Sequence, residues 1–153
     1  MNEQNTKKLI ENHKYMFAEM ERRQAEINSE LAKVKAVGVF YPIAFGFECD
    51  DGWFELLDNL MDEIKKIDVN RSVSVHQVKE KFGGLRFYIE GGNEEVDNLI
   101  DEAEEKSYKI CEICGKEGEL CVASHWYKTV CNDHRVETNY KPVTNGNKGW
   151  SSF

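Results

Sequence analysis

The sequence predicts an α+β protein with a long N-terminal helix, a small body built from helices and a β-hairpin, and a C-terminal zinc ribbon. Three observations predict this arrangement. Residues 3–35 contain neither proline nor glycine and place apolar side chains every three or four positions. Two segments of alternating polarity flank a Gly-Gly pair in mid-chain, and four potential zinc ligands lie close together near the end. The predicted units are 1–36, a helical arm; 37–109, the body; 110–136, the ribbon; and 137–153, an irregular tail.

The N-terminal helix carries a seven-residue repeat. Such a repeat is typical of a coiled coil, in which the polar members could set register or partner choice. The same stripe could equally pack on the body of its own chain. Both alternatives stay open, and the first predicts a homodimer formed through this helix. The repeating positions are Ile10, His13, Phe17, Met20, Gln24, Ile27, Leu31 and Val34.

The body begins after an apolar segment, residues 38–47, that is typical of a linker or a short strand. Asp50 or Asp51 is a plausible cap for the helix that follows, and Lys65 and Lys66 suit its last turn. Its apolar side chains recur with the period of 3.6 residues that marks a buried helix face. They are Trp53, Leu56, Leu57, Leu60, Met61, Ile64 and Ile67.

A β-hairpin is predicted from residues 72–79 and 85–90, with Gly83-Gly84 supplying the turn. Leu85, Phe87 and Ile89 share one face of the second strand and should belong to the core. A further helix, 94–106, has an apolar stripe and an acidic exposed face.

A zinc site is predicted from two paired ligand sets. Cys111 and Cys114 are followed by glycine, and Cys131 and His134 repeat the same spacing sixteen residues later. Three thiolates and one imidazole complete a closed tetrahedral site of the structural kind, whereas a catalytic zinc keeps a position for water. The alternative is that these are reduced cysteines in a small pair of strands.

Three other side chains could in principle bind the metal or act as nucleophiles. Cys121 lies in an apolar stretch, where a free cysteine behaves as a small core residue. His125 has no partner at a metal-ligand spacing, and Cys49 has no evident base nearby in the sequence. We therefore expect none of them to bind the metal or to act as a nucleophile.

The hairpin forms a locally positive region in an otherwise acidic chain. Between residues 71 and 90, four basic residues oppose two acidic ones, a local charge of +2 in a chain of net charge −8. Glycines that admit a ligand to the backbone, with cations and an aromatic ring, suit a phosphate or nucleotide. The alternative is a simple turn whose charges pair with the acidic helices. The candidate ligand-binding residues are Lys79, Lys81, Gly83, Gly84, Arg86 and Tyr88.

Composition limits the remaining function classes. No apolar run approaches the roughly 18 residues of a membrane span, and the N-terminus has no secretory signal, so we expect a cytoplasmic protein with no membrane contact. The five cysteines then favour metal binding or free thiols over disulfides. The net charge of −8 disfavours general nucleic-acid binding. The acidic residues lie in helical blocks and show no carboxylate set for Mg²⁺, which favours a non-enzyme.

The motifs CDDGWFELLD, VKEKFGGLRFY, SYKICEICG and WYKTVCNDH occur in this order and span about residues 46–135. The pattern resembles a family of small zinc-ribbon proteins of bacteriophages and prophages. The resemblance implies a phage accessory protein acting in the host cytoplasm, and it supplies no activity that can be assigned residue by residue. We therefore expect a non-catalytic binding protein that antagonises host antiviral defence by binding a nucleotide signal or a defence protein.

Two alternatives remain. The first is a DNA- or RNA-binding regulator in which Lys116, Lys128 and Arg135, beside Trp126 and Tyr127, contact nucleic acid. The second is a Mg²⁺-dependent nuclease or phosphodiesterase.

Overall fold

The structure is a computed structural model that describes residues 1–34 and 46–143. It has an α+β fold, as predicted, with two small sheets and five α-helices in the described ranges. Most of the apolar segment 38–47 and the tail beyond residue 143 lie outside these ranges. The helices are α1 (Glu3–Asn12), α2 (Lys14–Val34), α3 (Phe54–Ile67), α4 (Glu94–Ser107) and α5 (Asn132–Glu137). The strands are β1 (Phe47–Glu48), β2 (Ser74–Lys81), β3 (Gly84–Glu90), β4 (Glu119–Ala123), β5 (Trp126–Val130) and β6 (Lys141–Pro142).

The predicted uninterrupted N-terminal helix is wrong, because the chain leaves helical geometry at His13 and forms α1 and α2 instead. His13 has φ −122° and ψ 34°, and its buried Nε2 lies 2.7 Å from Asp58 Oδ1 on α3. The reason is tertiary: a buried contact with α3 outweighs the continuous helix that the local sequence favours. From the sequence, His13 was interpreted only as a polar position in the seven-residue repeat.

The first half of the predicted repeat packs on its own chain. Of its positions, Phe17 and His13 are buried. Ile10 and Met20 are partly buried against the main core, and the Phe17 ring meets Phe47 edge-on at 5.8 Å. The side chains of the second half, from Gln24 through Val34, lie outside the described residues apart from a few exposed positions. Pairing of two chains through this region stays a prediction.

The main sheet has the strand order β1-β2-β3, with β1 parallel to β2 and β2 antiparallel to β3. Helices α3 and α4 pack against one another and α4 packs along β3. Among the described residues, the largest fully buried side chain is that of Trp53, in a short 3₁₀ turn just before α3. Asp50 precedes this turn and makes no side-chain cap, so that its carboxylate is free for the ion pair described below.

The predicted hairpin is present, but its turn is shifted by one residue. Phe82 and Gly83 form the two-residue connection with φ of 56° and 80°, and Gly84 is already the first residue of β3. Leu85 and Phe87 are buried, as predicted, while Ile89 is partly buried against the same core. The Gly-Gly pair alone did not reveal that a phenylalanine would accept the left-handed conformation.

The outer edge of β3 is covered by side chains of α4. Ser107 Oγ accepts the Leu85 N–H at 2.9 Å, and Glu104 Oε1 accepts the Phe87 N–H at 3.1 Å. Glu104 also pairs with Arg86, with 3.2 Å between Nη1 and Oε2. Backbone donors at a sheet edge, which would otherwise be open, therefore have partners within the same chain.

The C-terminal part forms a second sheet of order β5-β4-β6 with its own small core. Cys111, Cys121, Val130 and Cys131 are buried in this core. No helix in residues 1–34 or 46–143 is long and apolar enough to cross a membrane.

Asp68 closes the connection between α3 and β2. Its carboxylate accepts hydrogen bonds from the backbone N–H groups of Ser72 (2.8 Å) and Val73 (3.0 Å) and from the Ser72 hydroxyl (2.9 Å). Burial alone would raise the pKa of Asp68, but these hydrogen bonds hold it below its usual value of 3.8. The ionised carboxylate therefore stabilises the fold.

We expect Asp68→Ala to lower the free energy of unfolding by about 2 kcal/mol at pH 7, because charge-assisted hydrogen bonds to buried backbone are lost. The contribution is present above the unfolded-state pKa and is lost as pH falls through the lower folded-state pKa. Urea unfolding at pH 7 and pH 3 should thus show a deficit that shrinks in acid. Asp101→Ala, at an exposed position on α4, is the control and should cost little at either pH.

Candidate metal centre

The four predicted ligands converge in the structure. Cys114 Sγ lies 3.8 Å from Cys131 Sγ, and His134 Nδ1 lies 3.5 Å from Cys111 Sγ and 3.3 Å from Cys131 Sγ. All four donor atoms lie within 4.8 Å of one another. Cys111 and Cys131 are buried, His134 is partly buried and Cys114 is exposed. This cluster could bind a metal ion.

The separations fit a tetrahedral ion. Bonds of about 2.3 Å to sulfur and about 2.0–2.1 Å to nitrogen place the donors of a tetrahedron about 3.8 Å apart for two sulfurs and about 3.5 Å apart for sulfur and nitrogen. The observed sulfur–sulfur distance of 3.8 Å and the sulfur–nitrogen distances of 3.3 and 3.5 Å agree with this geometry. Three of the six separations therefore match a tetrahedral site, and all six are within 4.8 Å.

A tight turn positions the first ligand pair. The Gly115 N–H donates to Cys111 O at 2.8 Å, and the Cys111 N–H donates to Lys116 O at 2.7 Å. Gly115 has φ +78°, a conformation that costs glycine nothing. The turn brings Cys111 and Cys114 to the same side, as the two-residue spacing and following glycine predict.

The second pair lies at the start of α5. Cys131 precedes the first residue of this helix, and the Arg135 N–H donates to Cys131 O at 2.9 Å, so His134 follows one turn later on the same side. A hydrogen bond from the His134 backbone lowers the pKa of Cys131 to about 7. A thiol with a lowered pKa is readily ionised, and the thiolate is the form that binds metals. Lys116 and Asp133 link the two pairs with an ion pair of 3.3 Å.

The metal cluster is fixed to the body through Gly52. A Cβ atom at Gly52 would lie 2.2 Å from Cys111 O and 2.5 Å from Glu112 O, and the Gly52 N–H donates to Glu112 O at 2.7 Å. Next to it, Trp53 Nε1 donates to Ile110 O at 3.0 Å. This contact was not predicted from the sequence, although an isolated glycine can mark a close approach of two backbone segments.

We expect Gly52→Ala to lower the free energy of unfolding by about 1–3 kcal/mol, the usual cost of overpacking. Its methyl group would meet backbone atoms on either side, which cannot turn away as a flexible side chain can. Thermal unfolding of the metal-loaded protein measures the loss. Gly46→Ala is the matched control, because a Cβ there has no neighbour within 4 Å; equal losses at both positions would contradict the close approach.

A buried ion cluster lies beside the ligands. Glu112 is 2% exposed, and Lys128 Nζ lies 3.0 Å from its Oε2 and 2.8 Å from Asp50 Oδ2. The Asp50 N–H donates to Glu112 Oε1 at 3.0 Å. Burial raises the pKa of Glu112 while Lys128 opposes that rise, and the two carboxylates raise the pKa of Lys128 although burial would lower it. This cluster was not predicted, because its three charged residues are far apart in the sequence.

The other candidate thiols and the spare histidine are outside the cluster. Cys121 is fully buried, and burial raises its pKa to about 11. Cys49 is also buried, and burial raises its pKa to about 12. Thiols of this kind are poor nucleophiles at neutral pH. His125 lies in the β4–β5 turn at φ 74°.

The predicted ligand-binding residues of the hairpin are only partly brought together. Lys79 and Arg86 are cross-strand partners on one face of the sheet, and Tyr88 follows Arg86 by two residues on that face. Arg86 is paired with Glu104, and Lys79 Nζ lies 5.3 Å from the Tyr88 ring centroid. Lys81 Nζ lies at the same distance from the Phe82 ring.

The two glycines of that set face the protein. A Cβ at Gly83 would meet the side chain of Leu120 at 2.2 Å and the backbone of Lys128 at 3.3 Å, and one at Gly84 would meet Tyr108 at 2.3 Å. Gly83 O also accepts the Thr129 hydroxyl at 2.6 Å. These glycines therefore allow the hairpin to pack against β5 and Tyr108.

The cations predicted for a nucleic-acid interface on the ribbon each have an acidic partner. Lys116 pairs with Asp133, and Lys128 pairs with Asp50 and Glu112. Arg135 Nη1 lies 3.6 Å from Glu119 Oε1. Positive charge on this part of the surface is therefore locally neutralised.

Comparison with known proteins found no family model, no curated protein sequence and no solved structure that matches this chain.

Proposed function

We propose that the protein is a non-catalytic binding protein in which a structural zinc ion stabilises the C-terminal unit that packs on the α+β body. The observation that carries the proposal is the set of four donors that lie within 4.8 Å of one another: Cys111, Cys114, Cys131 and His134. Three thiolates with one imidazole are the donor set that zinc prefers among the common divalent ions. When bound, the ion supplies a cross-link between two ligand pairs that are far apart in the chain.

The donor set supports a structural role. Four protein ligands complete a tetrahedron, which leaves no position for the water or substrate that a catalytic zinc binds. Among the residues that the structure describes, no second group of three or more metal-ligating side chains converges. A Mg²⁺-dependent nuclease or phosphodiesterase would need such a group of carboxylates. This alternative is therefore less well supported than binding without turnover.

The nucleic-acid regulator is also less well supported. Its three ribbon cations, Lys116, Lys128 and Arg135, are paired with carboxylates, and counterion release from a polyanion requires cations that are available. The acidic net charge of −8 adds long-range repulsion.

The resemblance to phage accessory proteins suggests a biological role for such a binding protein. We propose that it antagonises host antiviral defence, through a defence protein or a nucleotide signal. Phage plating on bacteria that carry a defence system, with and without this protein, tests the proposal. Restored plaque formation supports it, and unchanged protection across a panel of systems contradicts it.

Native mass spectrometry of the purified protein tests the structural zinc. One zinc ion per chain is expected, and replacement by Co²⁺ should give the intense absorption of a tetrahedral thiolate site. The native mass spectrum also gives the number of subunits and so tests the predicted homodimer. A metal-free folded protein, or a Co²⁺ spectrum of six-coordinate type, would contradict the proposal.

A further inference from the structure

Two hairpin turns enclose a groove of about 490 Å³ on the surface. One is the Phe82-Gly83 turn of the main sheet and the other is the Ser124-His125 turn of the C-terminal sheet, and they are held together where Gly83 packs on β5. The volume is within the usual range for small-ligand sites. The lining residues are Glu80, Lys81, Phe82, His125, Trp126 and Tyr127.

The groove keeps large aromatic side chains in contact with solvent. Trp126 is 76% exposed and Phe82 is 45% exposed. Burial in the core therefore does not account for these rings. Exposed apolar surface that is rimmed by polar residues is a feature of binding sites.

Both turns place side chains in an unfavourable backbone conformation. Phe82 and Gly83 have φ of 56° and 80°, and Ser124 and His125 have φ of 48° and 74°. Two-residue turns with this pattern strongly favour Asn-Gly, because residues with a Cβ are strained at positive φ. Phenylalanine and histidine thus occupy strained positions directly on the groove. Backbone strain of this kind is found preferentially at functional sites.

The same hairpin presents two lysines that have no carboxylate partner in the described part of the chain. Lys79 and Lys81 lie over the rings of Tyr88 and Phe82, each at 5.3 Å. The intervening Glu80 turns its carboxylate to the Gly83 N–H, at 2.5 Å, and so serves the turn. Cations beside exposed rings suit a ligand that joins an aromatic ring to a negatively charged group such as a phosphate.

We propose that this groove binds a nucleotide-sized ligand, with the base stacked on Trp126 and Phe82 and the phosphate near Lys81 and Lys79. The inference rests on the proposed binding function and names the class of ligand. A small ligand is favoured over a long strand, because the chain has a net charge of −8 and the ribbon cations are paired. Of the predicted residues, Lys81 lines the groove and Lys79 lies two residues before it on the same strand, whereas Arg86 and the two glycines serve the fold.

Isothermal titration of the zinc-loaded protein tests the proposal. The probes are the four common ribonucleoside monophosphates, their nucleosides, ATP, a cyclic dinucleotide and a ten-nucleotide single strand. We expect saturable binding of at least one of the small nucleotides, with at least roughly tenfold weaker binding of the matching nucleoside. Trp126→Ala should weaken that binding by roughly 5- to 100-fold, the usual loss for one stacked base. Val136→Ala, at an exposed apolar residue outside the groove, is the matched control and should leave binding unchanged.

Turn variants give a readout that a merely structural role would not produce. Phe82→Asn and the double variant Ser124→Asn/His125→Gly supply the residues that these turns prefer. Both should raise the melting temperature by a few degrees, and Phe82→Asn, which removes a stacking ring, should also weaken nucleotide binding at least tenfold. Higher stability of Phe82→Asn with unchanged binding would overturn the proposal, and so would the absence of binding by every small nucleotide.

Two further outcomes separate this inference from the proposed function. If the single strand binds more tightly than the small nucleotides and its affinity depends steeply on salt, the ligand is a nucleic acid and the small-ligand proposal is overturned. Chromatography of the titrated mixture reports any product. Turnover of the nucleotide would overturn the non-catalytic function, whereas absence of binding would overturn only the groove assignment.

Discussion

Replacing Cys131 with serine is expected to abolish tight zinc binding and to unfold the C-terminal sheet. Cys131 lies close to two other ligands, with its Sγ 3.8 Å from Cys114 Sγ and 3.3 Å from His134 Nδ1. Structural zinc sites contribute about 10–16 kcal/mol of apparent binding free energy, and this energy stabilises the folded module. Loss of one thiolate should remove most of it. Metal analysis and hydrogen exchange over residues 110–143 measure the two effects.

Cys121→Ser is the matched control for this experiment. Cys121 belongs to the same small core and is fully buried, yet it is outside the ligand cluster. The variant should lose some stability, because a hydroxyl replaces a buried thiol, and should keep one zinc ion per chain. Equal metal loss in both variants would mean that the cluster does not hold the ion as we propose.

Replacing Lys128 with methionine should lower the free energy of unfolding by about 3–5 kcal/mol. The change removes the ammonium group between Asp50 and Glu112 and leaves Glu112, at 2% exposure, without a cation. Breaking a buried ion pair from one side is costly because the remaining charge stays away from water. Urea unfolding of the zinc-loaded protein measures the difference.

The double variant Glu112→Gln/Lys128→Met distinguishes charge from packing. An amide at position 112 can still accept the Asp50 N–H, which now binds Glu112 Oε1 at 3.0 Å. With no charge left to bury, the double variant should recover most of the stability that Lys128→Met loses. If the double variant is as unstable as the single one, then packing around the lysine stem is the main contribution.

The parts of the fold that were predicted from sequence depend on local patterns. The period of apolar residues in 54–67 and the alternation in β3 report directly which face is buried, and Leu85 and Phe87 are in the core accordingly. The metal cluster was predictable for a related reason. Two ligands separated by two residues can reach one ion whatever the rest of the chain does.

The features that were missed depend on contacts between distant segments. His13 breaks the N-terminal helix because of Asp58, and Gly52 approaches the backbone of Cys111 from another part of the chain. Nothing in either local sequence specifies its partner. The Phe82-Gly83 turn was missed by one residue because glycine is the usual residue at positive φ, and a phenylalanine there is not expected.

The covered edge of β3 bears on how this protein can recognise a partner. Ser107 and Glu104 already occupy the Leu85 and Phe87 N–H groups, so an extended peptide cannot add to this edge as a further strand. A partner that binds at this edge must therefore be recognised through side chains, and not through backbone hydrogen bonds between strands. The same covering also removes a template for fibril-like self-association, which lets the chain carry exposed aromatic turns at high concentration with less risk of aggregation.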